Sequence, residues 1–137
     1  MWKLYAVLSA VFAALTAIFA KIGLKDIDAN LATAIRVSVI LLLTWGIVLV
    51  TGTAKEIKSV QPATLCFLVL SAVATGISWL FYFKALQLGP VSKVAPIDKL
   101  SVAIAIALSI LILNEPASFK TILGGLLIVA GSLVLLL

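Results

Sequence analysis

Five long apolar runs occupy this chain almost from end to end, separated only by short gaps that carry the charges. A membrane helix needs roughly 20 apolar residues to cross the hydrocarbon, so 137 residues leave room for five such helices and short turns. Hydrophobic residues make up 64% and charged residues 11% of the sequence, against about 45–50% and 25% in soluble domains. A soluble core is therefore excluded. The runs lack the period-2 alternation of barrel strands and are too long for them. Backbone facing lipid must satisfy its own polar groups, so the expected fold class is an all-α membrane protein with five transmembrane helices.

The expected helices cover residues 2–20, 31–50, 62–88, 93–113 and 117–137, in one domain spanning 1–137. Asp28 or Asn30 is placed to cap the second helix by accepting from its free N–H groups. Pro62 opens the third, where a missing N–H loses nothing, and Gly89-Pro90 stops it. Pro96 either starts the fourth helix or loosens it. Asn114-Glu115-Pro116 forms the last turn, with Asn114 as cap, and Glu115 answers the dipole of the fifth helix. The first run has small residues spread along it rather than gathered before a cleavage point, unlike a signal peptide.

Several function classes fall away. The sequence has no histidine, and Cys66 is its one cysteine. No intrachain disulfide can form, and metal centres and His-based acid–base chemistry lose their usual residues. No cofactor, metal or catalytic residue is expected, and no enzyme. The net charge of +5 is scattered singly at helix ends, which is not the clustered footprint of a nucleic-acid binder.

The lysines in the gaps speak to orientation. One side of the membrane would hold Lys3, Lys55, Lys58 and Lys120, and the other Lys21, Lys25, Lys84 and Lys93. An excess of Lys and Arg normally marks the cytoplasmic side. An odd number of spans with no such excess predicts dual topology and an antiparallel homodimer.

Polar residues recur at helical spacing inside the runs. Ser71, Thr75, Ser78 and Tyr82 share one face of the third helix, and Asp98, Ser101, Ala105 and Ser109 one face of the fourth. Thr33, Arg36 and Thr44 do so on the second, and Ser9, Ala13, Thr16 and Ala20 on the first. Small and hydroxyl residues are ordinary packing residues between membrane helices. Charges are another matter, because an ionisable group at mid-span carries an insertion cost of about 2.5–3.5 kcal/mol. Arg36, Lys84, Asp98 and Lys99 approach from the same side, which suits a half-open vestibule. Lys84 and Lys99 have a second reading, in which their stems snorkel to the headgroups. The natural partner of Asp98 is Arg36 or Lys84. The candidate pathway residues are thus Arg36, Lys84, Asp98, Lys99, Ser101, Thr75, Ser78 and Tyr82. Trp45, Trp79, Phe81, Tyr82 and Phe83 could line a site, although aromatics at span ends more often belong to the interfacial belt or to packing, and Cys66 is expected to be inert. Ala117, Gly124 and Gly131 repeat every seven residues on the fifth helix and are the expected subunit-interface ridge, with packing inside the monomer as the other reading.

The segment Tyr82-Phe83-Lys84-Ala85-Leu86-Gln87-Leu88-Gly89-Pro90-Val91-Ser92-Lys93-Val94-Ala95-Pro96-Ile97 resembles the helix three–four junction of the EamA-type domain of the drug/metabolite transporter superfamily. Leu113-Asn114-Glu115 resembles its Leu-Gly-Glu turn, and Gly124-Gly125-Leu126-Leu127-Ile128-Val129-Ala130-Gly131 its Gly-rich closing helix. Lys21 and Arg36 fall where such domains often carry basic residues. The likeness covers the whole chain and matches the single-domain, five-helix branch. It implies an alternating-access carrier built as an inverted repeat from two copies. Two departures stand out: Asn114 replaces the usual glycine, and Asp98-Lys99 replaces a proline-containing apolar stretch, so no relative's substrate is transferable.

The expected function is secondary transport of small metabolites in a prokaryotic cytoplasmic membrane. Arg36, Lys84 and Lys99 favour an anionic or zwitterionic solute, with Asp98 as ion-pair partner or coupling group. The expected partners are that solute, the lipid bilayer and a second copy of the chain, with no nucleic acid. The alternative is a non-transporting membrane assembly or structural subunit.

Overall fold

The computed structural model describes residues 1–137. It is all-helical: α1 (Trp2–Gly23), α2 (Ala29–Val50), a 3-10 helix (Thr53–Ser59), α3 (Pro62–Leu88), α4 (Val91–Asp98), α5 (Leu100–Ile112) and α6 (Phe119–Val134). Four stretches are long and apolar enough to cross a bilayer: Trp2–Gly23, Ala29–Val50, Pro62–Leu88 and Val91–Ile112. Their outer surfaces are apolar. Phe12, Phe67 and Phe81 are 65%, 73% and 73% exposed, a surface suited to hydrocarbon rather than water. The protein is an integral, multi-pass membrane protein.

The ends of the helices follow from local chemistry. Asp28 takes the N-cap of α2, accepting from the N–H groups of Asn30 at 2.9 Å and Leu31 at 3.2 Å. At the other end Gly52 adopts φ 73°, a left-handed turn that glycine enters without steric penalty. Asn114 has φ 53°. Asparagine is one of the few side chains that tolerates this region, so it meets the demand that a glycine otherwise meets in this turn. The Glu115 N–H then donates back to the Ser109 carbonyl at 3.2 Å, closing α5.

α1 runs to Gly23 rather than residue 20 and α2 begins at Ala29 rather than residue 31, and the last two expected elements differ further. The fourth helix is broken after Asp98 into α4 and α5. Pro96 lies inside α4 and lacks the N–H that would reach the Ser92 carbonyl, which weakens the helix just before the break. The chain tightens at the break through three-residue hydrogen bonds, Lys99 N–H to the Pro96 carbonyl and Val102 N–H to the Lys99 carbonyl. The fifth helix starts at Phe119 rather than Ala117, because Ser118 provides the cap by accepting from the Thr121 N–H at 3.1 Å. Pro116 lies before it, in the turn. At 16 residues α6 spans about 24 Å, shorter than the roughly 30 Å of hydrocarbon.

The chain divides into two compact units, Met1–Ile18 with Leu88–Leu137, and Phe19–Gln87. In the first, α6 packs on α5 and α4. Gly125 is buried there, with the Cδ1 atom of Ile106 3.3 Å from where a Cβ would stand. Ser132 is 4% exposed, and its hydroxyl donates to the Pro96 carbonyl at 2.9 Å, tying α6 to the break. In the second unit the C-terminal end of α3 is the best-buried region, with Leu86 0% and Phe83 2% exposed. The Lys21 ammonium donates to the Leu86 carbonyl at 2.6 Å, and the Gln87 amide to the Ile27 carbonyl at 3.1 Å. A basic group on the last carbonyls of a helix both fills an orphan acceptor and answers the dipole.

Candidate functional site

Arg36 lies seven residues into α2, roughly 10 Å from its start. Its helical neighbour Thr33 is buried, with the hydroxyl donating to the Ala29 carbonyl at 2.8 Å. The two residues share the face of α2 that meets α3. On α3, Trp79 and Phe83 are one turn apart and also share a face. The guanidinium carbon of Arg36 sits 4.2 Å from the Trp79 ring centre and 5.2 Å from that of Phe83. Tyr82 meets Phe83 edge-on, with ring centres 6.3 Å apart at 67°.

This stacking explains how the arginine is retained in a span. Insertion of such a charge costs about 2.5–3.5 kcal/mol at mid-bilayer and less near the ends. A cation over an aromatic face recovers about 0.5–2 kcal/mol, most when desolvated. The rings offset much of the cost but supply no oxygen. Arg36 has no hydrogen bond or ion pair within the chain, so its five N–H donors keep their capacity for an anion.

Two expectations are corrected here. Trp79 and Phe83, more readily read as belt or packing residues, are the stacking partners of Arg36. Asp98, expected to pair with Arg36 or Lys84, instead accepts from the Lys99 ammonium at 3.2 Å. Lys99 sits at the α4–α5 break, where its stem reaches back to its neighbour, and its side chain is 54% exposed against 33% for Asp98. Lys84 is exposed and donates to the Gln87 side-chain oxygen at 3.2 Å.

Ser71, Thr75 and Ser78 are all exposed. The Thr75 hydroxyl donates to the Ser71 carbonyl at 2.9 Å, while the hydroxyls of Ser71 and Ser78 have no partner within the chain. Ser101 is likewise exposed. Of the expected ridge, Gly131 is exposed and Gly124 half-buried, and a Cβ on either would meet nothing within 4 Å. Ala117 lies outside α6 and so is not part of that helical ridge. The stacking of Trp79 and Phe83 on Arg36 and the role of Ser132 were missed. The two rings had a signal in their spacing of four residues, opposite an arginine-bearing helix. Ser132 had one in being a hydroxyl inside an otherwise apolar turn.

The EamA-like transporter family matches residues 1–137. An uncharacterised transporter encoded in the cobO 3′ region of a Sinorhizobium species is 46% identical over 134 residues, covering 98% of this chain and 95% of that protein. An uncharacterised protein of Methanocaldococcus jannaschii is 35% identical over 81 residues, 59% of each chain. No solved structure gives a significant match. From end to end, then, the sequence carries the pattern of a transporter family and not of an enzyme family: the chain belongs to the EamA-like transporter family.

Proposed function

We propose that the protein is a secondary transporter of small metabolites working by alternating access in a prokaryotic cytoplasmic membrane, and that an anionic or zwitterionic solute is favoured. The observation that carries this reading is Arg36, stacked on Trp79 and Phe83 inside a span and without an anionic partner in its own chain. A charge retained inside a span against its insertion cost marks a pathway or binding group by default. The exposed hydroxyl face of α3 gives further support, since Ser71 and Ser78 need partners that lipid tails do not provide.

The working unit, on this reading, is an antiparallel homodimer. Each copy is one domain of five spans, with α6 and its flanking residues as the fifth, and the two copies form the inverted repeat. The balanced lysines support opposite insertion of the copies. The open Gly124 and Gly131 surface suits close helix contact between them.

Two measurements test the proposal. Proteoliposomes of the purified protein should take up at least one labelled organic anion or zwitterion saturably, above protein-free liposomes, and exclude cations of similar size. Folded protein that moves no solute would favour a non-transporting assembly subunit. In a Cys66→Ala background, Lys3→Cys and Lys84→Cys should each be labelled by an impermeant maleimide from both faces of the membrane. Labelling from a single face would contradict the antiparallel pair.

A further inference from the structure

We infer that the Arg36 site is a receptor for an organic monocarboxylate, whose two oxygens take the rim of the guanidinium while its carbon skeleton lies against Trp79. This assignment rests on the carrier reading above and narrows its solute.

The chemistry follows from what each neighbour can and cannot offer. Trp79 and Phe83 present π-electrons to the cation but no lone pair in line with its N–H groups. Those groups form a planar fork matched to two coplanar anionic oxygens. The Thr33 hydroxyl is committed to its own helix. The acidic residues in the unit that holds Arg36 are Asp26, Asp28 and Glu56, and none of them pairs with it. Asp28 is engaged as the α2 cap, and Asp98 is bound to Lys99.

Charge matching selects a monoanion. Lys21 and Lys84 keep their charges, but their ammonium groups are directed at neutral oxygens, the Leu86 carbonyl and the Gln87 side chain, and neither is part of the Arg36 stack. One stacked guanidinium answers one negative charge. A phosphate dianion would leave a charge uncompensated in a low-dielectric setting. Ring accessibility then selects an apolar body. Phe83 is 2% exposed and closed to a ligand, whereas Trp79 is only half-buried.

Trp79 also reports on the site. Trp2→Phe with Trp45→Phe leaves it as the sole tryptophan, and its emission can be followed in nanodiscs as butyrate, n-butylamine or inorganic phosphate is added. Butyrate should give a saturable change, and the other two none. Arg36→Lys should weaken butyrate roughly tenfold or more, because it keeps the charge and loses the fork. Arg36→Gln should abolish the response, and matched elution and melting profiles would show both variants folded. The assignment is overturned if butyrate gives no saturable response, if Arg36→Gln retains it, or if phosphate binds and butyrate does not. Absent butyrate binding alongside measurable flux of some other solute would sink the carboxylate assignment and leave the carrier reading standing. Butyrate binding without any flux would support the site and sink the carrier.

Discussion

Arg36→Gln should reduce solute uptake in proteoliposomes by about 10- to 150-fold, the loss expected when a hydrogen-bonded charged group worth about 1.5–3 kcal/mol is removed. Stability should move differently. The native guanidinium recovers about 0.5–2 kcal/mol from its rings against an insertion cost of up to about 2.5–3.5 kcal/mol. Arg36→Leu removes both, so its melting temperature should equal or exceed that of the wild type while flux is lost. That opposition is the signature of a group kept for function at the expense of stability. A purely structural arginine would give the reverse, a destabilised protein with flux per folded molecule unchanged. Uptake assays paired with thermal melts on the same preparations separate the two.

Phe83→Ala should be the most damaging single truncation in the half of the molecule that holds Arg36. Phe83 is 2% exposed and packs beside the fully buried Leu86, and emptying such a site costs about 3–5 kcal/mol in soluble proteins. Lipid tails are as apolar as a phenyl ring, so transfer contributes little in a bilayer and the loss is mainly one of packing contacts. About 3 kcal/mol is the expected size. Phe81→Ala, two residues away and 73% exposed, should change the melting temperature far less, since lipid fills the space. Phe83→Leu should keep most of the packing, losing under about 1.5 kcal/mol. It takes away one ring from Arg36, so its flux should fall more than its stability. Equal destabilisation by Phe81→Ala and Phe83→Ala would contradict the packing described for α3.

Four of the five expected spans were legible because insertion depends on composition over about 20 residues, a property a single sequence displays in full. Pro62 as the first residue of α3 and the Asp28 cap were legible for a similar reason, since each acts within a few residues of itself. The break after Asp98 was half-visible. Pro96 announced a missing N–H, but the break itself falls beyond it, where the Pro96 carbonyl also takes the hydroxyl of Ser132, 36 residues away. The start of α6 at Phe119 turned on whether Pro116 or Ser118 governs the turn, and the Ser118 cap decided it.

The site shows the same divide. That Arg36 is special followed from its charge and position alone. That it stacks on Trp79 and Phe83 depends on which faces of α2 and α3 meet, and periodicity within one helix does not specify a partner on another. Electrostatic reasoning supplied Asp98 as the obvious counter-ion, yet an aromatic face competes well for a guanidinium away from water. Asp98 found a closer cation in the very next residue. Asn114 was visible as a departure from the usual glycine, and its φ of 53° shows a substitution that keeps the backbone requirement.

On the transport reading, the exposed hydroxyl face of α3 lines a water-filled path rather than lipid. Thr75 stands at the middle of α3, thirteen residues from each end, where no reagent reaches it from bulk water without such a path. Maleimide reacts with the thiolate, which forms in water and not in hydrocarbon. Thr75→Cys, in a Cys66→Ala background and in intact proteoliposomes, should therefore be labelled by a charged, impermeant maleimide and protected by a transported solute. An unlabelled Thr75→Cys beside a readily labelled Lys84→Cys control would place that face in lipid and contradict the account.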